Sequence, residues 1–220
     1  MNILAIETSG RIITVALQTE NSYTETVLDI GYKHAETLMP AIDSVFSLST
    51  FSPDKLDLAV CSAGPGSFTA LRIGMSTIKG IARGAGCPFK SVPVLPVLAE
   101  GREYWNGIVM PLMDARKNRV YTAAFENGRR IAEDTDTDLD NFISSLPSKP
   151  ILATGADARI AENYPNITID PLYDSGRGKA IIKKAAELFE KEGPDPVDAG
   201  PLYLRLSEAE EALKKKNGKK

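Results

Sequence analysis

A single histidine, His34, occurs in the 220 residues, together with one tryptophan and two cysteines. One imidazole cannot build a two-histidine metal site, and no H-E-x-x-H run occurs, so a zinc-peptidase reading is excluded. A serine triad would need His34 as its base, yet Gly64-Pro65-Gly66-Ser67 is followed by Phe68 and Thr69 and no G-x-S-x-G elbow exists. Cys61 and Cys87 lack C-x-x-C spacing and read as reduced thiols of a cytoplasmic protein. No run reaches the roughly 18 apolar residues of a membrane span. The opening Met1-Asn2-Ile3-Leu4-Ala5-Ile6 lacks the basic head of a signal peptide. A basic surplus is missing too: the net charge of −3 argues against a chain that grips nucleic acid unaided.

What is present is glycine where a helix should not want it. Residues 64–84 read as a strand-to-helix turn, capped by Ser67, and then a helix that carries Gly74, Gly80 and Gly84. Each interior glycine costs about 1 kcal/mol relative to alanine, so something must offset them. At 100° per residue the helix shows three faces. Phe68, Leu71, Met75, Ile78 and Ala82 form a core stripe, and Arg72, Lys79 and Arg83 a charged, wet one. The third face, Ala70, Ile73, Gly74, Thr77, Gly80, Ile81 and Gly84, is small and aliphatic and admits a close backbone. Two readings are open for it: contact with the chain's own sheet, or docking of a second chain. A second predicted helix, 34–48, spreads Ala35, Leu38, Met39, Ala41, Ile42, Val45, Phe46 and Leu48 more widely than the stripe of about 100° of a one-sided surface helix. Two helices with surplus apolar surface favour an interface. Its expected members are His34, Leu38, Met39, Ile42, Ala70, Ile73, Gly74, Thr77, Ile81 and Gly84, and a chain without its partner is expected to form a homodimer through the same helices.

The pattern runs twice. Strands over residues 2–7, 12–19 and 23–28, the helix 34–48, a strand over 56–62 and the glycine-bearing helix give βββαβα. After a strand at 89–94 and a proline-interrupted helix to about Tyr104, strands at 107–113 and 120–126, a short piece near Arg130, a helix at 139–145, a strand at 151–154 and a short helix at 156–163 repeat the order. A shift of 107 positions lays Glu7 over Asp114, so each copy ends its first strand on an acid. The fold class is therefore α/β, two ribonuclease H-like lobes of the actin, sugar-kinase and Hsp70 (ASKHA) type. The lobes are expected at 1–106 and 107–206, with 207–220 a charged tail ending in Lys214-Lys215-Lys216-Asn217-Gly218-Lys219-Lys220.

In such a fold the cleft between lobes holds ATP, which makes Ser9, Gly10 and Asp114 weak candidates for a nucleotide and Glu7 or Asp114 for its Mg²⁺. Gly64 and Gly66 at a helix N-terminus offer a phosphate cradle, but Pro65 removes a donor and no G-x-x-x-x-G-K-[S/T] follows. No cofactor is expected. The rival function is an ATP-dependent phosphotransferase of the same fold.

Five segments resemble a known family in order. Ile3-Leu4-Ala5-Ile6-Glu7-Thr8-Ser9, His34-Ala35-Glu36-Thr37-Leu38-Met39-Pro40, the block Gly64 to Gly74, Met113-Asp114-Ala115-Arg116 with Val120-Tyr121, and Pro201-Leu202-Tyr203-Leu204-Arg205 are similar to the TsaB (YeaZ) family of tRNA-modification proteins. The resemblance implies a non-catalytic partner of the transferase TsaD that recruits the ATPase TsaE. Together they place threonylcarbamoyl on the adenosine beside the tRNA anticodon, and the tRNA is met only through the complex. It also implies that the two helices above are the pairing surface. The catalytic paralogue binds metal through two histidines four residues apart after the strand that follows the glycine-bearing helix. The matching stretch, Ser91 to Gly101, has none.

Overall fold

A computed structural model describes residues 1–31 and 33–205. The expected charged tail lies outside the described residues. Strands β1 (Ile3–Glu7), β2 (Ile12–Gln18) and β3 (Tyr23–Asp29) precede helix α1 (His34–Ser49), β4 (Leu58–Gly64), α2 (Phe68–Ala85), β5 (Phe89–Pro93) and α3 (Val94–Ala99). The chain then gives β6 (Ile108–Asp114), β7 (Val120–Glu126), β8 (Arg129–Thr137), α4 (Leu139–Ser145), β9 (Ile151–Thr154), β10 (Ile167–Ile169) and α5 (Gly178–Glu192).

The two sheets have one topology. The first is ordered β3-β2-β1-β4-β5 and the second, read from its other edge, β8-β7-β6-β9-β10. In each, the first strand pairs antiparallel with the second and parallel with the fourth. The sequence shows why the central strands are central: β1 and β4 are apolar without alternation and buried at every position, the pattern of strands covered on both faces. Edge strand β3 is only half-buried.

The covers come from opposite halves of the chain. Helices α1 and α2 close one face of the first sheet, packing Leu38, Ile42, Val45, Met75 and Ile78 on Leu4, Ile6, Ile13 and Val15. Its other face is closed by α5, whose Ile181, Ile182 and Ala185 lie on Ile3, Ala5, Leu58 and Val60. The second sheet takes α4 on one side and α3 on the other, where Val94, Leu95 and Leu98 meet Val109, Met113, Tyr121 and Phe125. Position 106 separates the strands of the two sheets, but not their cores.

Three elements differ from the sequence reading. The short piece near Arg130 is a nine-residue edge strand whose exposed Arg129, Ile131 and Glu133 alternate with half-buried neighbours. Its charged residues conceal the period of two. Helix α3 ends at Ala99 instead of near Tyr104, because Glu100 turns extended and Gly101 takes a left-handed φ of 78°. The segment 156–163 forms only a single 3-10 turn, Ala158–Ala161.

Beyond α5 the chain returns as a strap across the first lobe. The Oδ2 of Asp195 accepts from Ser91 N at 2.8 Å, Leu202 N donates to Ala63 O at 2.7 Å, and Tyr203 stacks on Phe68 with ring centroids 4.4 Å apart. The strap also takes up the stripe of α2 read as wet. Arg72 Nε donates to Tyr203 Oη at 2.8 Å and Lys79 Nζ to Val197 O at 2.8 Å, while Arg72 and Arg83 remain exposed. At its end Arg205 reaches the second lobe, donating to Asp136 and, at 2.8 Å, to Ala115 O.

Candidate functional site

The small-residue face of α2 divides in two. Ala70 and Gly74 are buried beneath the chain's own β1–β2 turn: Thr8 Oγ1 donates to Ala70 O at 3.2 Å, and a Cβ on Gly74 would collide with that same hydroxyl oxygen. Gly74 therefore admits Thr8, not a foreign helix, and the docking role expected for it and for Ala70 is corrected accordingly. Ile73, Thr77 and Ile81 are half-buried, while Gly80 and Gly84 are exposed and a Cβ at either would meet nothing within 4 Å. This second half is open.

Helix α1 divides similarly. Leu38 and Ile42 belong to the core, whereas Met39 is 53% and Leu48 71% exposed. His34 is 2% exposed, and its Nε2 lies 2.8 Å from Gly10 O, so it ties the helix start to the β1–β2 turn and presents no group to the surface. Of the residues expected at an interface, His34, Leu38, Ile42, Ala70 and Gly74 are buried, Ile73, Thr77 and Ile81 are half-buried, and Met39 and Gly84 are exposed. Periodicity alone could not separate them, since a glycine against its own turn and a glycine against solvent look identical in sequence.

The glycine loop before α2 is filled by protein. Ser67 N, which a phosphate would need, donates to Ser9 O at 2.8 Å. Gly66 is pressed on Ser9, and Gly64, at a φ of 123°, on the carbonyl of Leu202. The Ser67 side chain caps Ala70 N at 3.5 Å. The glycines are there for close approach of backbone to backbone.

Between the lobes lies a crevice lined by Glu7, Ser9, Gly10, Met113, Asp157 and Arg177 among others. Ser9 and Gly10 are where the nucleotide expectation put them. Asp114 is not in the lining, because its N–H donates to Asp157 Oδ2 at 2.9 Å and its carboxylate accepts from Arg116 N at 2.7 Å. Asp157 stands in its place. The cavity volume is about 20 Å³, enough for a water.

The charges at its floor are strongly perturbed. Burial pushes the Glu7 carboxyl up, against the Ser9 hydrogen bonds and the Arg177 charge that favour its ionised form. Burial lowers the Arg177 guanidinium to about 10, and the like charge of Arg102 acts in the same direction. Arg177 Nη2 donates to Tyr173 O at 2.9 Å. Nothing in the sequence around Tyr173 to Gly178 marks Arg177 as a crevice residue; the return of α5 onto the first sheet brings it there. Among the described residues, no group of three His, Cys, Asp or Glu is placed to hold a metal ion. No described helix is long and apolar enough to cross a membrane.

A family model described as TsaD, tRNA N6-adenosine threonylcarbamoyltransferase, matches residues 29–212. The tRNA threonylcarbamoyladenosine biosynthesis protein TsaB of Bacillus subtilis is 30% identical over 221 residues, covering 96% of each chain. The chain belongs to the TsaB (YeaZ) family. The Escherichia coli protein of the same description is 32% identical over 141 residues, 62% of this chain and 61% of that one. YeaZ from Pseudomonas aeruginosa superposes with a TM-score of 0.78 at 21% identity, over 92% of this chain and 99% of that chain. The fold is of the two-lobed ASKHA type, as the duplicated strand order requires. The family's glycine block is now explained locally: its glycines seat the β1–β2 turn and the strap.

Proposed function

We propose that this protein acts in tRNA threonylcarbamoyladenosine biosynthesis as a non-catalytic subunit that docks on a TsaD-like transferase through the open side of α1 and α2. The observation that carries the reading is the exposed Met39, Gly80 and Gly84 beside the half-buried Ile73 and Thr77, all apolar or small, in a chain with one histidine. Exposed apolar side chains beside glycines let a partner helix approach closely and exclude water. The subunit would act by population shift: binding the competent form of the transferase more tightly than other forms raises its fraction without supplying a chemical group. A TsaE-like ATPase would join that pair, tRNA would be met only by the assembly, and the protein would work in the cytoplasm. Without its partner the same stripe would pair two copies of the chain.

The double variant Met39→Glu with Thr77→Arg tests this in gel filtration with the transferase paralogue of the same organism. Co-elution should be lost while the melting temperature of the isolated chain stays within a few degrees. Retained pairing, or threonylcarbamoylation of tRNA by the chain alone, overturns the reading.

A further inference from the structure

The β1–β2 turn touches both halves of the site at once. On one side Glu7, Ser9 and Gly10 line the interlobe crevice. On the other side the same residues hold the beginnings of both docking helices. Gly10 O is bonded to His34, the first residue of α1, at 2.8 Å. Ser9 O accepts from Ser67 N, just ahead of α2, at 2.8 Å, and Thr8 Oγ1 donates to Ala70 O in its first turn. Thr8 is fully buried, wedged against Gly74 and anchored through its own N–H to Ser62 Oγ at 3.1 Å. Ser9 N in turn donates to Glu7 Oε1 at 2.7 Å. The polar links named here from the crevice carboxylate to the two helices therefore run through three consecutive residues. Glycines at 66 and 74 leave no slack between them.

We propose that Thr8, Ser9 and Gly10 form a relay coupling the α1–α2 face to the interlobe crevice, so that a protein seated on the helices orders the crevice and a change at Glu7 alters docking. The inference rests on the docking reading above. Ordering one end of a tightly packed unit lowers the cost of ordering the other, and the coupling is reciprocal. Thr8 is a positioning residue here, since it reaches the partner only through α2.

Hydrogen exchange on the full chain, free and bound to the transferase paralogue, tests the first direction. Amides of 8–12 should exchange at least threefold more slowly in the complex, together with those of α1 and α2. If the helices are protected and the turn is unchanged, the relay fails while docking stands; if no complex forms, both fail. Calorimetry tests the reverse direction. Glu7→Gln and Thr8→Val should each weaken pairing at least threefold, whereas Thr8→Ser, which keeps the hydroxyl, should restore it. Equal affinities for wild type, Thr8→Val and Thr8→Ser overturn the proposal.

Discussion

The two lobes share a strand order but not a helical cover. Between β3 and β4, and between β4 and β5, the first lobe carries helices of 16 and 18 residues. At the matching places the second lobe has a helix of seven residues and one 3-10 turn. Even the short α4 buries only Leu139 and Phe142 and leaves Asp140, Asn141, Ser144 and Ser145 exposed. Both copies keep apolar side chains at the surface, Met39 and Leu48 on α1 of the first and Ile131, Ile160 and Leu172 in the second. The difference between the copies is one of length, the two long helices of the first carrying more solvent-facing turns than α4 and the 3-10 turn of the second.

The contrast between sealed and open glycine within α2 can be broken by single substitutions. Gly74→Ala, whose new methyl collides with Thr8 Oγ1, should destabilise by about 3 kcal/mol as an overpacked core position. For a chain of this size that is a fall of roughly 6–12 °C, read by calorimetric melting. Loss of the strap's anchor is next. Arg205→Ala removes hydrogen bonds to Asp136 and Ala115 across the lobes and should cost about 2 kcal/mol, seen as a shift of the urea midpoint. Gly80→Ala has the opposite sign: the position is open and mid-helix, so the isolated chain should gain about 1 kcal/mol. If Gly74→Ala and Gly80→Ala shift the melt equally, the division of the face is wrong.

The smallest effects concern pH, and the lobes again differ. Burial pushes the Asp136 carboxyl up, but hydrogen bonds from Arg205 and Arg119 outweigh it and hold the group below its ordinary 3.8. Its contribution is present above that value and is lost as pH falls through the depressed one. Asp136→Asn should flatten the acid side of the stability profile. Glu7 has the reverse sign. The folded chain keeps its proton where the unfolded chain releases it, so stability declines as pH rises from the ordinary 4.5 through the raised value. Glu7→Gln should remove that decline in melting temperature measured across this window.

The strand order was legible because each central strand announces itself by unbroken apolar sequence, and because Glu7 and Asp114 end β1 and β6 alike. The long helices were legible from their period. The division of their faces was not, because it depends on Thr8 and on the strap, which are remote in sequence from α2. Tertiary approach sealed Ala70 and Gly74 and gave the charged stripe strap partners at Arg72 and Lys79 while Arg72 stayed exposed. Arg177 was invisible for the same reason: its neighbour Thr14, whose Oγ1 accepts from Arg177 N at 3.2 Å, is 163 residues away.

Because α3 covers the second sheet and α5 the first, neither half is an excisable module. Opening the backbone in the exposed connection around Gly101 to Asn106 should yield two pieces, each with an apolar face that only the other can shield. Such fragments should be insoluble apart and reconstitute when mixed. The same exchange means that whatever seats itself on α1 and α2 is gripping a body whose two ends cannot be pulled apart one at a time.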